Sequence, residues 1–303
     1  MTNTYPILLF TYKRLEVLKK TITALQKNEL AKDSDLFIFS DGPKNSKDEI
    51  QISKIRTYLK TIDGFKNVHI SASIDNKGLA NSIIDGVSSI LKLADSVIVL
   101  EDDLLTTPNF LAYMNNALNT YKNSDRVFSI SGYAFDLRHG DTNPNSSYFL
   151  NRGWSWGWAT WRDRWDKVDW DVTTYPEFVK DKKQRKIFAK GGSDLNAMLD
   201  KQMSGKLDSW AIRWFYHQFK INGLTLYPLG SKIYNDGFDE FATHTNGSEK
   251  RYIPFLDTEH SLKFNFPAKA EIHKGYQKKF QNKMGIVARI RSKIETLLLK
   301  NKL

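Results

Sequence analysis

Residues 96–108 read SVIVLEDDLLTTP. The order of chemistry along them decides the architecture. A short apolar, β-favouring run stops at three consecutive carboxylates, Glu101, Asp102 and Asp103, and Thr107 and Pro108 then offer an N-cap and a first helical position for the next helix. Adjacent carboxylates repel one another, and a chain of formal net charge +11 has no general reason to bear that cost.

Runs of the same kind occur upstream at about thirty-residue spacing: YPILLF from Tyr5, DLFIFS from Asp35 and NVHISAS from Asn67. Between them, Leu15, Leu18, Ile22 and Leu25 share one helix face. So do Ile52, Ile55 and Leu59, and later Leu79, Ile83, Val87 and Ile90. Strand and amphipathic helix in alternation predict an α/β fold, a mostly parallel sheet covered on both faces, with ligands met at the carboxyl ends of the strands. After the first strand comes Thr11-Tyr12-Lys13-Arg14-Leu15, which holds no glycine and so is neither a P-loop nor a dinucleotide fingerprint. After the second comes Ser40-Asp41-Gly42-Pro43, and after the third Asp75-Asn76-Lys77-Gly78 leads into a helix.

The second half reads differently. RVFSIS from Arg126 is a strand, and RGWSWGWATWRDRWDKVDW from Arg152 carries six of the eight tryptophans. Trp154, Trp156 and Trp158 alternate as in a strand, whereas Trp158, Trp161 and Trp165 fall at helical spacing, so most are expected in the core. Trp154 and Trp210 are the candidates for an acceptor face, since aromatic rings suit the apolar sides of sugars. A charged helical stretch from Glu177 to Lys206 leads to LDSWAIRWFYHQF, then to a strand LTLYPLG and the loop NDGFDEFATHTNG, which includes His244. The expected division is 1–125, 126–267 and a tail at 268–303.

Composition narrows the function classes. With 303 residues and 41% hydrophobic content the chain can bury a full core. Cysteine is absent, which removes disulfides, thiolate nucleophiles and cysteine-ligated zinc. No leader pattern opens the chain and no apolar run is long enough to span a bilayer, so a cytosolic protein is expected. Ten basic and two acidic residues in 268–303 give that tail +8 of the total charge. The body is therefore nearly neutral, which argues against nucleic acid and for an anionic membrane surface met by the tail, where Val287, Ile290, Ile294 and Leu298 line one helix face and Arg289, Lys293 and Lys300 the other.

Carboxylates gathered at a strand end are tolerable when a hard divalent cation sits among them, with phosphate oxygens and water completing its shell. The competing reading is a solvated acidic loop ahead of a helix N-terminus, where the dipole favours negative charge. Arg14 suits a phosphate and Asp41 the imide or hydroxyls of a nucleoside; Thr11 and Leu79 lie at the same predicted edge. Asp208 precedes a helix and suits either an N-cap or a general base.

The strand order, the Glu101-Asp102-Asp103 triplet and the Trp-rich segment resemble the GT-A class of nucleotide-sugar glycosyltransferases, in particular the N-acetylglucosaminyltransferase I-like family and bacterial polysaccharide transferases, over Tyr5 to about His244. The resemblance implies Asp103 as ligand to Mn²⁺ or Mg²⁺; His244, in a Gly- and Thr-flanked loop, is read either as a further metal or phosphate ligand or as an exposed loop histidine. It implies Glu101, Asp102, Thr11, Arg14, Asp41, Leu79 and Arg213 around a UDP-sugar, and Asp208 as the base, although Ser209 departs from the family's second aspartate. The implied activity is inverting transfer to a glycan, lipid-linked and met at the inner membrane face, in surface polysaccharide synthesis. Two rivals are a sugar nucleotidyltransferase, disfavoured by the glycine-free first loop, and a nucleotide- or glycan-binding protein without turnover.

Overall fold

Each apolar run of the first half is a strand, and each periodic run between them is a helix. The computed structural model describes residues 4–138, 141–237 and 249–300, the side chains of 249–250 and 296–300 excepted. Strands β1 (Ile7–Thr11), β2 (Asp35–Ser40), β3 (Asn67–Ala72) and β4 (Ser96–Glu101) alternate with α1 (Leu15–Gln26), α2 (Ser46–Leu59) and α3 (Leu79–Leu91). They pair in the order β3-β2-β1-β4, all parallel. Register sets the carboxyl ends level: Thr11 lies opposite Ser40, and Phe10 opposite Glu101. Tyr12, Asp41 and Asp102 therefore emerge side by side.

After the acidic triplet the chain forms β5 (Leu104–Thr106), α4 (Phe110–Tyr121), β6 (Val127–Ser131), β7 (Ser147–Leu150) and β8 (Trp158–Trp161). Short helices α5 (Arg162–Trp165), α6 (Tyr175–Phe178), α7 (Lys182–Phe188) and α8 (Leu195–Met203) follow. Then come α9 (Trp210–Lys220), β9 (Leu224–Pro228), β10 (Ile233–Asn235), α10 (Lys274–Lys283) and α11 (Ile286–Lys300). β8 lies antiparallel between β4 and β6, and β9 and β7 complete an eight-stranded sheet. One sheet thus runs through both halves of the chain. β5 leaves it and pairs antiparallel with β10, Leu104 opposite Asn235.

Alternation along the strands sorts the core into two layers. Ile7, Leu9, Ile98 and Leu100 face α1, α2 and α4, while Leu8, Phe10, Val97 and Val99 face α3 and α9. Gly86 of α3 is required here, since a Cβ on it would stand 2.7 Å from the ring of Phe10.

Several expectations need correction. Thr107 does not cap α4: the helix starts at Phe110 behind Asn109, and the Thr107 hydroxyl bonds Asn109 Oδ1 at 2.8 Å instead. The single helical stretch expected over Glu177–Lys206 is three helices, broken before α8 by Gly192 at φ 147°. Trp154 and Trp210 are core residues, 7% and 3% exposed. Trp154 packs on Tyr133, Phe135 and Phe280, and Trp210 on Trp158 and Trp214. Half of the tail belongs to the body, because Tyr276, Phe280 and Met284 of the α10 region are buried in the first core layer.

Candidate active site

Asp102 is the hub of the corner where β1 and β4 end. Its Oδ2 accepts from Thr11 Oγ1 at 3.0 Å and from the Tyr12 amide at 3.3 Å, and its Oδ1 from Arg14 Nη2 at 2.8 Å. The same Arg14 nitrogen reaches Asp103 Oδ2 at 2.7 Å, so one guanidinium bridges two carboxylates. Thr21 of α1 holds the Asp102 carbonyl at 2.7 Å. Three acids therefore share one cation. Burial, then the charges of Asp103 and Asp102, push Glu101 up to about 8 against the opposing pull of Arg14. Burial and the Asp102 charge likewise raise Asp103, again against Arg14. Arg14 runs the other way: burial alone would lower it, and its two carboxylate partners raise it.

The chain returns to this corner from the far end of the fold. The end of β10 and the residues just after it, Asn235-Asp236-Gly237, lie alongside Asp103, whose carbonyl accepts from the Asp236 amide at 2.9 Å. Lys20 pairs with Asp236 at 2.7 Å. Behind β10, the fully buried pair of Lys232 and Asp257 pins the strand to the segment that follows it.

Asp41 is turned inward to its neighbour loop. Its two oxygens accept from the amides of Gly42, Lys77 and Gly78 at 2.9, 2.9 and 3.0 Å, and from Asn76 Nδ2 at 3.1 Å. With four donors already engaged, Asp41 shapes the loop before α3, a role that spacing alone did not reveal. Leu79, half-buried, opens α3 directly behind that loop.

Asp208 meets the same loop from the other side. The helix-capping alternative fails, because Ser209 supplies the cap of α9, its Oγ accepting from the Ile212 amide at 3.4 Å. The Asp208 carboxylate is 65% exposed. A Cβ on Gly78 would stand 4.0 Å from its Oδ2, which sets it at the head of α3. Arg213 reaches its Oδ1 at 3.6 Å while bonding the carbonyls of Ser209 and Trp170. Burial lowers the pKa of Arg213 against the pull of Asp208 and Asp171.

Hydrogen bonds thus run from the Gly78 amide through Asp41 and Thr11 to Asp102, Arg14 and Asp103 along one sheet edge, with Asp208 beside Gly78 at its near end. His244 lies outside the described residues. Tyr12, Thr21, Asp236 and Gly237 were missed.

Among the described residues no three acidic or imidazole side chains converge on a metal position. The donor set still fits a hard cation that brings its own ligands: Asp103 offers one carboxylate, in a corner with excess negative charge, and phosphate oxygens and water would fill the rest.

No protein-family model and no curated protein matches the chain. Solved structures similar to it include glycosyltransferases. The mannosyltransferase PcManGT from Pyrobaculum calidifontis, in complex with GDP-Man and Mn²⁺, aligns at TM-score 0.39 and 12% identity over 55% of this chain and 48% of that one. S. aureus TarS aligns at 0.36 and 12% over 55% and 30%, and its residues 1–349 at 0.44 and 10% over 78% and 61%. The chain therefore spans less than two thirds of the length of each.

Proposed function

We propose that the chain is an inverting, metal-dependent glycosyltransferase that moves a sugar from a UDP-sugar to a glycan acceptor. One observation carries this reading. A carboxylate pair held by Arg14 at the end of β4 and a solvent-facing carboxylate freed from capping, Asp208 beside the loop before α3, both stand at the carboxyl edge of a mostly parallel sheet.

In this reading Asp103 would hold Mn²⁺ or Mg²⁺ together with the donor's pyrophosphate, and the cation, when bound, neutralises charge on the departing diphosphate. Arg14, partly exposed and fixed by Asp102, is positioned to meet the phosphates. Asp208 accepts the proton of the acceptor hydroxyl as its oxygen attacks the anomeric carbon, and the neighbouring Arg213 steadies the carboxylate. The acceptor is proposed as a lipid-linked glycan at the cytosolic membrane face, in polysaccharide synthesis, a choice supported by the basic C-terminal segment.

Calorimetry of UDP, GDP and TDP, each with Mn²⁺ and with chelator, tests the donor site. At least one nucleotide should bind about tenfold tighter with metal, and Asp103→Asn should abolish that gain. Metal-independent binding of all three would overturn the reading.

A further inference from the structure

Helix α11 is mounted the wrong way round for a helix that covers a core. An amphipathic helix packed on a globule normally buries its apolar stripe, as the α10 region does with Tyr276, Phe280 and Met284. On α11 the side turned to the body is Ala288, Ser292 and Glu295, with Ser292 only 3% exposed. The aliphatic residues point away: Ile286, Val287, Ile290 and Ile294 are 65, 81, 55 and 52% exposed. At 3.6 residues per turn these four fall within an arc of about 100°, opposite the packed side.

The borders of that arc are basic. Arg289 and Lys293 lie along one edge and Arg291 along the other, all exposed. Such long side chains lay their stems along apolar surface and carry the charge to a polar boundary.

We propose that α11 is an in-plane membrane anchor. Its Ile286, Val287, Ile290 and Ile294 enter the acyl-chain boundary of an anionic bilayer, and Arg289, Arg291 and Lys293 meet the headgroup phosphates. This deepens the membrane location of the proposed function and uses none of its chemistry. Charge decides the occupant. A second copy of the helix would bring two sets of basic borders together, whereas an anionic bilayer supplies apolar depth and opposite charge at once. With these three included, the tail from Ala268 carries a net +8 toward such a surface.

Vesicle sedimentation of the full chain tests this without nucleotide or turnover, so its failure would leave the transfer reading standing. The probes are phosphatidylcholine vesicles with and without about 30 mol % phosphatidylglycerol, at low and high salt. Anionic vesicles should bind at least about tenfold better than neutral ones, with salt weakening the difference. The double variant Ile290→Asp, Ile294→Asp should lose binding by about a hundredfold. Both positions are exposed, so its thermal melt should match the parent's. The proposal is overturned if neutral and anionic vesicles bind equally, or if the double variant binds like the parent. It is also overturned if light scattering finds a dimer that the variant dissociates.

Discussion

Gly237 lies so close to Asp103 that a Cβ built on it would stand 2.1 Å from Oδ2 and 2.7 Å from Cγ. Its φ is not in the left-handed region, so alanine is conformationally permitted and the main obstacle is the carboxylate, with Asn235 Oδ1 next at 3.0 Å. Gly237→Ala is therefore expected to displace the Asp103 side chain. Metal-dependent nucleotide affinity should fall at least about tenfold while the melting temperature drops by only about a few degrees. Calorimetry beside a thermal melt checks both. Affinity equal to the parent's would remove Asp103 from the metal site.

Arg14 is the only described cation against Asp102 and Asp103, whose side chains are 6% and 15% exposed. Removing it leaves two buried charges facing each other, so Arg14→Ala should destabilise the fold by about 3 kcal/mol, as for other broken buried pairs. Mn²⁺ alone should recover part of that loss, and raise the melting temperature of the variant more than that of the parent. Urea titrations with and without the ion decide it. A variant that gains nothing from Mn²⁺ would mean the corner does not attract cations.

Asp208 and Ser209 are neighbours with separable duties. Asp208 makes no capping bond and is largely solvated, so Asp208→Asn should leave stability and UDP binding unchanged and cut transfer by about 10²–10⁴-fold. Ser209→Ala should do the reverse, costing about 1 kcal/mol through the lost cap with donor binding intact. Full turnover by Asp208→Asn would refute the base assignment, whereas nucleotide binding with no turnover by the parent itself would favour a protein that binds without reacting.

The sequence revealed what depends on periodicity. The strands ending at Thr11, Ser40 and Glu101 and the helix faces of Leu18, Ile52 and Ile83 were legible because burial writes apolar residues at fixed intervals. Three-residue strands such as β5 and β10 carry no period, so the approach of Gly237 to Asp103 was invisible. The loop-shaping bonds of Asp41 were not legible, because most of its donors come from a loop more than thirty residues away. The tryptophans misled for another reason: ring chemistry suits a sugar face and a core equally, and only three-dimensional packing separates them. For α11 the amphipathic pattern was plain, but which face meets the body is a tertiary fact.

Away from the sheet edge, Arg152 and Asp194 form a bidentate ion pair at 2.8 and 2.9 Å, which ties the loop after β7 to the start of α8. Both side chains are nearly inaccessible, at 4% and 11% exposure. Burial alone would raise the Asp194 carboxyl, but the Arg152 guanidinium outweighs it and the net shift is downward from 3.8. A folded-state value below the unfolded one stabilises the protein at pH values above the unfolded pKa, and this contribution is lost as pH falls through the folded pKa. Stability should therefore hold above about pH 5 and decline progressively in more acid solution. Asp194→Asn should lose about 3–5 kcal/mol at neutral pH, because it strands a buried guanidinium, and should show a shallower acid decline than the parent. Replacing both partners by apolar residues, Arg152→Met with Asp194→Leu, should recover much of the loss, since no charge then remains to be buried. Denaturant melts from pH 3 to 7 on the three proteins separate these outcomes. An acid limb identical in parent and Asp194→Asn would mean the pair contributes nothing to the pH dependence of folding.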